Sequence, residues 1–320
     1  MSDSRHDVRP ATQWDLSHVV SGLRAARADW REAHQRNSES GRREFPSREA
    51  VETVLAGLRG ALFPMRLGPA DLRQEGEDFY VGHTLDAALN VLLDQVRLEL
   101  ACATRPEAPD PVAIEQRASE IVRTFAAELP TIRRVLDTDV EAAYHGDPAA
   151  RSVDEVLLCY PGILAIIHYR LGHTLYRLGV PLLARIITEI AHSATGIDIH
   201  PGADIGSRFF IDHGTGVVIG ETAILGQRVR LYQAVTLGAK RFATDATGAL
   251  LKGQPRHPII EDDVVIYAGA TILGRVTIGA GSSIGGNVWL TRSVPPGSMI
   301  TQAQSEHHTA DSIAAAGSSS

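Results

Sequence analysis

Two histidines in this sequence each stand beside a charged residue, in the pairs Asp212-His213 and Arg256-His257. A histidine changes charge near neutral pH, so it can act as a general base when another group orients its ring. Asp212 offers a carboxylate to an ammonium group, and Arg256 offers a planar guanidinium suited to a carboxylate. An acceptor that carries an amine, a carboxylate and a hydroxyl would satisfy all of these groups.

A strict period of six residues runs through the C-terminal half. Its aliphatic positions fall in three frames, which are Ile199, Ile205 and Ile211, then Ile219, Leu225, Leu231 and Leu237, then Ile260, Ile266, Ile272, Ile278, Ile284 and Leu290. A helix does not repeat at six and an ordinary strand alternates at two. A solenoid of short strands and turns does repeat this way, with three hexads to a coil. We therefore predict a parallel β-helix of about four coils, with a β-sandwich of short strands as the alternative.

The period fails at two places, and the two histidines lie in them. The step from Ile211 to Ile219 is eight residues, and the step from Leu237 to Ile260 is 23 residues. Loops that leave a rigid, repetitive scaffold are common sites of function. These two interruptions are therefore the predicted functional loops.

A further carboxylate, Asp198, precedes His213 by 15 residues. Because one coil has about eighteen residues, Asp198 is expected to approach His213 from the neighbouring layer and to hold its Nδ1 proton. No serine or cysteine in a nucleophile context accompanies them, so the nucleophile is the acceptor itself. Lys240 and Lys252 flank the longer interruption and could meet the phosphates of a large cofactor.

Upstream of the repeat, the apolar residues recur at helical spacing. This spacing covers residues 85–96, 121–129, 164–178 and 182–190, and it predicts helices. Ser152 followed by Glu155 is a capping-box pattern, which predicts the start of another helix. A polar stretch over 37–48 is expected to separate a short N-terminal helical piece from the main bundle.

The sequence as a whole predicts an α+β chain in three parts. A helical N-terminal domain covers 1–195, a β-helix domain covers 196–300 and a flexible tail covers 301–320. The glycines support this division, because 17 of the 29 lie between Gly196 and Gly297, where the turns of a solenoid need them.

Composition excludes several classes of protein. The net charge is −7, which argues against a nucleic-acid binder. No run reaches about eighteen apolar residues, so no membrane span is expected, and the start of the chain does not read as a signal peptide. Cys102 and Cys159 are too few for a disulfide framework, so a cytoplasmic location is expected.

Seven strings between residues 146 and 299 resemble a known family in their order and spacing. They are Gly146-Asp147-Pro148-Ala149, Tyr169-Arg170-Leu171-Gly172-His173, Ile197-Asp198-Ile199-His200-Pro201-Gly202-Ala203, Ile211-Asp212-His213-Gly214-Thr215-Gly216, Gln233-Ala234-Val235-Thr236-Leu237-Gly238, Arg256-His257-Pro258 and Val294-Pro295-Pro296-Gly297. The sequence resembles the serine O-acetyltransferases of the hexapeptide-repeat acyltransferase superfamily. The resemblance implies a left-handed β-helix, assembly as a homotrimer or a dimer of trimers with active sites between neighbouring subunits, and transfer of an acetyl group from acetyl-CoA to L-serine for cysteine synthesis.

The resemblance also implies a role for each matching residue. His213 is then the general base, Asp198 the carboxylate that orients it, and His257 a second histidine near the serine hydroxyl. Arg256 would bind the serine carboxylate, and Asp147 and Asp212 would receive its amine. Ala239 and Ala268 match backbone positions along the CoA channel, to which we add Lys240 and Lys252, and no metal is expected.

Other functions stay open at this point. A zinc lyase of the carbonic anhydrase type uses the same kind of β-helix and could recruit His200, His213 and His257, although Arg256 beside His257 favours a metal-free base. A solenoid that serves only as an assembly scaffold would bind no acetyl-CoA, and the acceptor could be another hydroxyl compound. The chain ends in serine rather than isoleucine, so a complex with cysteine synthase is not expected.

Overall fold

The computed structural model describes residues 14–34, 45–103, 110–241, 248 and 250–302. The structure divides into two compact units, and the second unit begins at residue 45. This division falls inside the polar stretch predicted to be a boundary. The first unit contributes helix α1 (Ser17–Ala33), which has no buried residue.

The N-terminal part of the second unit is helical, as predicted. Its described helices are α2 (Arg48–Leu62), α3 (Pro64–Leu67), α4 (Glu77–Ala103), α5 (Pro111–Gly146), α6 (Val153–Cys159), α7 (Pro161–Arg177) and α8 (Pro181–Thr195). The predicted capping box begins α6, where Ser152 Oγ accepts a hydrogen bond from the Glu155 amide at 3.0 Å. The Glu155 carboxylate accepts in return from the Arg151 amide at 2.8 Å, one residue earlier than in the usual motif.

The C-terminal part is a three-sided prism of short parallel strands. The strands are β1 (Asp198–Ile199), β2 (Asp204–Ile205), β3 (Phe210–Ile211), β4 (Val218–Ile219), β5 (Ile224–Leu225), β6 (Arg230–Leu231), β7 (Thr236–Gly238), β8 (Ile259–Ile260), β9 (Val265–Ile266), β10 (Thr271–Leu273), β11 (Thr277–Ile278), β12 (Ser283–Ile284), β13 (Trp289–Leu290) and β14 (Met299–Ile300). Sheet A has the order β1-β4-β7-β10-β13, sheet B the order β2-β5-β8-β11, and sheet C the order β3-β6-β9-β12-β14. The chain passes from sheet A to B to C and back to A, which is the predicted parallel β-helix.

The hexad explains why these strands form. Each of its thirteen aliphatic residues is the second residue of a strand and faces the inside of the prism. Each is at most 5% exposed. Like residues stack in register along each sheet, as Ile199 does on Ile219 and Ile219 on Leu237. The pairing is parallel throughout, so the alternative of a β-sandwich, whose sheets are antiparallel, is wrong.

The prism has three edges, which we name the A–B, B–C and C–A corners after the sheets they join. The shorter interruption, residues 212–217, lies at the C–A corner between β3 and β4. The longer one leaves the prism after β7 and returns to it before β8, so its two ends lie at the A–B corner. The two predicted functional loops therefore leave the prism at the two edges of sheet A.

A buried ion pair joins the helices to the first coil of the prism. Asp139 on α5 is fully buried and lies 3.1 Å from Arg170 on α7. Arg170 also donates to the carbonyls of Ile205 and Gly206 at 2.5 and 2.6 Å, and Asp139 accepts from the Phe209 amide at 2.9 Å. These bonds satisfy the buried charges and hold the end of α5 against sheet C.

The predicted domain limits stay predictions. Helix α8 ends at Thr195 and β1 begins at Asp198, but helices α2 to α8 and the prism belong to one compact unit. Residues 303–320 of the predicted tail lie outside the described part of the chain. None of the described helices is long and apolar enough to cross a membrane.

Candidate active site

The loop at the C–A corner exposes His213. Its backbone is left-handed, with φ of 59°, a conformation uncommon for a residue with a side chain. The side chain is 71% exposed. Gly214 follows with φ of 91°, and a Cβ there would lie 2.4 Å from Ile197 Cδ1. The loop thus turns tightly against the prism and points the imidazole of His213 outward.

Asp212 lies at the base of this loop and is buried. Its Oδ1 is 3.9 Å from His213 Nδ1, and its Oδ2 is 3.5 Å from Arg230 Nη2. The carboxylate therefore has a cation on one side and the exposed histidine on the other.

A second carboxylate, Asp147, follows the end of α5 near the same corner. Its Oδ2 accepts a hydrogen bond from the Tyr160 hydroxyl at 2.5 Å, and its Oδ1 accepts from the Ala149 amide at 2.8 Å. The Tyr160 hydroxyl, with smaller contributions that include Arg230 and His213, holds the pKa of Asp147 below its usual value. The same hydrogen bond raises the pKa of Tyr160 to about 12, so at neutral pH the phenol donates to an ionised carboxylate.

These residues form the first half-site, which consists of Asp147, Tyr160, Asp212, His213 and Arg230. It offers two carboxylates for a cationic group and an exposed imidazole that can exchange a proton. Asp212 and His213 are adjacent in the sequence, which already indicates that they belong together. Asp147 is predicted only from the family resemblance.

His257 at the A–B corner is held very differently. Its Nδ1 accepts from the Thr222 amide at 3.0 Å and lies 2.9 Å from the Thr222 hydroxyl. Because a backbone amide can only donate, the neutral ring carries its proton on Nε2. Burial, together with the charge of Arg256, lowers the pKa of His257 to about 4. His257 is therefore a neutral donor with a fixed tautomer.

Gly220 makes room for this ring. A Cβ at position 220 would lie 2.0 Å from Cδ2 and 2.2 Å from Nε2 of His257. Real side chains do not approach so closely, so only glycine is compatible with the observed position of the imidazole.

Arg256 is fixed by an acidic neighbour. Its Nη2 lies 2.6 Å from Glu221 Oε2, and Glu221 accepts from the Tyr176 hydroxyl at 3.2 Å. The Arg256 amide donates to Thr222 Oγ1 at 2.9 Å, so one threonine holds both members of the Arg256-His257 pair. We name Tyr176, Glu221, Thr222, Arg256 and His257 the second half-site.

The expected contact between Asp198 and His213 does not form within one chain. Asp198 lies on sheet A and its Oδ1 is 3.5 Å from Arg185 Nη1. The described ion-pair partner of His213 is Asp212 instead. The loop of His213 does pack against Ile197, one residue before Asp198, but the two side chains pair with other residues in this structure.

The three histidines of the zinc alternative do not converge within one chain. His213 lies at the C–A corner, whereas His200 and His257 lie at the A–B corner, and the Nδ1 of His200 accepts from the Gly202 amide at 3.0 Å. Among the described residues, the one group with ligand atoms close together is Glu189, His192 and Asp198. Arg185 forms ion pairs with both carboxylates, Glu189 and Asp198. Its guanidinium group therefore already balances the charge of that cluster.

The residues expected to meet CoA are also divided between the corners. Ala268 lies at the C–A corner between β9 and β10, whereas Ala239 and Lys240 follow β7 at the A–B corner. Lys240 and Lys252 are exposed at the two sides of the longer interruption. Within one chain these residues do not line a single channel.

Five residues of the half-sites were not found from the sequence, namely Tyr160, Tyr176, Glu221, Thr222 and Arg230. Arg230 is the outward residue of its hexad, and the register pairs it with Phe210. The six-residue period was therefore sufficient to predict that Arg230 lies beside Phe210. Thr222 and Tyr160 carried no comparable signal, because only the folded chain brings them to His257 and Asp147.

The fold and the repeat define a class of protein. A family model described as "Bacterial transferase hexapeptide (six repeats)" matches residues 257–292, which lie in the last coils of the prism. The chain thus has the architecture of a hexapeptide-repeat transferase.

Comparison with individual proteins defines the family. The chain is 58% identical over 295 residues to a plasmid-encoded serine acetyltransferase of Synechococcus elongatus. The aligned region covers 91% of this chain and 92% of that protein. The chain belongs to the serine acetyltransferase family, as the sequence predicted.

Solved structures agree with this assignment. The serine acetyltransferase 1 of Entamoeba histolytica in complex with L-cysteine superposes with a TM-score of 0.68 at 38% identity, over 78% of this chain and 86% of that one. The Neisseria gonorrhoeae enzyme in complex with serine superposes with a TM-score of 0.51 at 27% identity, over 81% and 97% of the chains. With the hexapeptide repeats, these likenesses confirm the predicted left-handed β-helix, an exception to right-handed crossovers.

Proposed function

We propose that this chain is a serine O-acetyltransferase that moves the acetyl group of acetyl-CoA to the hydroxyl of L-serine and forms O-acetylserine for cysteine synthesis. The observation that carries the proposal is the chemistry of the two half-sites. One offers carboxylates and a histidine free to exchange a proton, and the other offers a guanidinium and a histidine fixed as a donor. Together they match the ammonium, hydroxyl and carboxylate of serine.

In the first half-site, Asp147 and Asp212 would bind the ammonium group. His213 would then remove the proton of the serine hydroxyl as that oxygen attacks the thioester carbonyl, and would return the proton to the departing thiol of CoA. The exposure of the His213 ring supports this role, because both partners of the proton transfer must reach it.

In the second half-site, Arg256 would bind the serine carboxylate in the fixed orientation that Glu221 imposes. The Nε2 proton of His257 would point to the serine hydroxyl region, where a neutral donor stabilises oxygen that gains negative charge. A charged imidazolium there would repel Arg256, and the low pKa of His257 prevents it at neutral pH.

The half-sites lie on opposite edges of sheet A, so we propose that they meet between neighbouring subunits of a homotrimer, alone or as a dimer of trimers. In a ring of subunits, the C–A corner of one chain can face the A–B corner of the next. Asp198 would be the carboxylate that orients His213 in the assembled site.

The same arrangement would unite the residues proposed for acetyl-CoA. Ala268 from one subunit and Ala239 from its neighbour would line one channel, with Lys240 and Lys252 near the phosphates of CoA. No metal is part of the proposal. We also propose a cytoplasmic location, since the two cysteines of the sequence are too few for a disulfide framework and fit a reducing compartment.

An acceptor panel tests the reaction. The purified enzyme is supplied with acetyl-CoA and, in turn, with L-serine, L-homoserine, an amino sugar or no acceptor, and released thiol is measured. We expect release with L-serine well above the other acceptors. Equal release with another hydroxyl compound would contradict the acceptor, and a stoichiometric zinc content in the purified protein would revive the lyase alternative.

A complementation experiment tests where the site is formed. His213→Ala and His257→Ala each remove one half-site, and the two inactive variants are unfolded, mixed in equal amounts and refolded together. If the site forms between subunits, mixed trimers recover about one quarter of wild-type activity, because that fraction of sites pairs two intact halves. No recovery, with mixed trimers present, would contradict a site between subunits.

A further inference from the structure

Arg230 lies in the first half-site without a part in the proposed reaction. It is the outward residue of β6, and the register places it beside Phe210 of β3. Its guanidinium carbon is 5.0 Å from the centre of the Phe210 ring and 4.9 Å from the centre of the Tyr232 ring. The guanidinium is therefore packed among aromatic rings, an arrangement that favours arginine over lysine.

This packing fixes where the charge of Arg230 can lie. The side chain is 25% exposed, and its buried Nε has no hydrogen-bond partner among the described residues. The end of α5 closes over the stack, since a Cβ at Gly146 would lie 2.9 Å from Phe210 and 3.7 Å from the guanidinium carbon. One end of the guanidinium, Nη2, lies 3.5 Å from Asp212 Oδ2.

The two carboxylates of the first half-site carry like charges, and Arg230 supplies a positive charge beside them. Asp147 and Asp212 would both bind one ammonium group, and two carboxylates that share a site repel one another until a cation balances them. The charge of Arg230 opposes this repulsion, because its Nη2 lies 3.5 Å from Asp212 Oδ2. It also acts on Asp147, whose pKa is lowered first by Tyr160 and further by Arg230.

We propose that Arg230 is a positioning residue, which holds the Asp212 carboxylate in a fixed orientation and balances part of the negative charge of the half-site before the ammonium group of the acceptor binds. One of the two negative charges is balanced within the chain, and one is left for a singly charged ammonium. The inference rests on the proposed function in one respect, namely that the acceptor is serine with its ammonium group.

Steady-state kinetics of three variants test this role. Arg230→Met removes the charge and keeps much of the side-chain volume, whereas Arg230→Lys keeps the charge without the planar group. Arg228→Met is the matched control, because Arg228 lies two residues earlier, at the B–C corner, and pairs with the exposed Asp263. The Michaelis constants for serine and for acetyl-CoA are measured separately, since neither depends on the fraction of correctly folded enzyme.

We expect Arg230→Met to raise the KM for serine about tenfold, the size of a lost charge-assisted interaction. We expect kcat to change by less than about threefold, because the lost contact acts on binding in the ground state and the transition state alike. Arg230→Lys should recover a large part of the serine KM, and Arg228→Met should match the wild type. The KM for acetyl-CoA should stay unchanged in all three.

The outcomes separate the two proposals. Wild-type enzyme that releases no thiol with serine would contradict both. Wild-type turnover with an unchanged serine KM in Arg230→Met would contradict only the role of Arg230. A rise in both Michaelis constants, without recovery by lysine, would show that Arg230 supports the fold of the corner and does not position Asp212.

Discussion

The two half-sites use the same residue type in opposite ways. His213 projects from a left-handed loop and is largely exposed, whereas His257 is buried and bound through Nδ1 to Thr222. A general base must gain and lose a proton in each cycle, so its ring needs access to both partners. A fixed donor needs a single tautomer, which burial and a backbone amide provide. The contrast shows that the surroundings of a histidine decide its chemistry more than its neighbours in sequence.

The comparison predicts its largest effect at the exposed histidine. We expect His213→Ala to lower kcat/KM about a thousandfold, within the range for a lost general base, and to leave the assembly and the thermal midpoint unchanged because the side chain packs against little. Thiol release and size-exclusion chromatography measure the two properties.

His145→Ala is the control for this variant. His145 is also exposed, and its Nδ1 contacts the Glu141 carbonyl at 2.8 Å within α5. We expect wild-type activity from it. Near wild-type turnover in His213→Ala would remove His213 from the role of base.

The second prediction concerns a substitution that displaces the ring of the buried His257 without replacing this residue. In Gly220→Ala the new Cβ would overlap the His257 ring, which lies 2.0 Å from that position. The ring must move by about 1 Å or more, and a displacement of this size can lower kcat about a hundredfold. The thermal midpoint should also fall, because the bonds to Thr222 are strained.

Gly82→Ala is the matched control for Gly220→Ala. Nothing lies within 4 Å of a Cβ at Gly82, which is inside α4, where alanine favours the helix. We expect full activity and a slightly higher thermal midpoint. Full activity in Gly220→Ala would mean that the position of the His257 ring does not matter to the reaction.

The hexad was enough to predict much of this arrangement. Its thirteen aliphatic positions located the strands, and counting three hexads to a coil assigns the two interruptions to different corners. The same count separates His213 from His257 within one chain, although the spacing of 15 residues to Asp198 suggested a contact that the chain does not make. The six-residue period predicts the path of the backbone through strands and corners. It gives less information about the orientation of a side chain on a loop inserted into the repeat.

The helical contributions could not be predicted in the same way. Asp147 joins the first half-site because the Asp139–Arg170 ion pair holds α5 against sheet C, and Tyr160 reaches Asp147 from the start of α7. Both contacts depend on how helices pack on the prism. No local pattern in the sequence describes that packing, so resemblance alone suggested Asp147.

The third prediction concerns pH and the stability of the second half-site. The pKa of His257 is about 4 in the folded chain, compared with about 6.5 for an unperturbed histidine. Below about pH 6.5 the unfolded chain takes up a proton that the folded chain does not. The contribution of a neutral His257 to stability is therefore complete above pH 6.5 and decreases as the pH falls towards 4.

His257→Gln lacks this titration. We expect it to be less stable than the wild type at pH 7.5, and we expect the difference to shrink at pH 5.0. The change is at most about 1.4 kcal/mol per pH unit, and solvent screening makes it smaller. Urea unfolding of both proteins at the two pH values measures it, and a difference that is constant with pH would contradict the buried neutral state of His257.

The smallest predicted effect lies at Thr222, which holds His257 and Arg256 together. Thr222→Val keeps the amide that binds Nδ1 at 3.0 Å but removes the hydroxyl that accepts from the Arg256 and His257 amides. We expect kcat/KM to fall about fivefold, as for the loss of about 1 kcal/mol of hydrogen bonding. Thr124→Val is the control, because the Thr124 hydroxyl bonds only to the exposed turn of α5. Equal activity in both variants would show that the amide alone fixes the tautomer, and a loss as large as that of Gly220→Ala would show that the threonine hydroxyl determines the position of the ring.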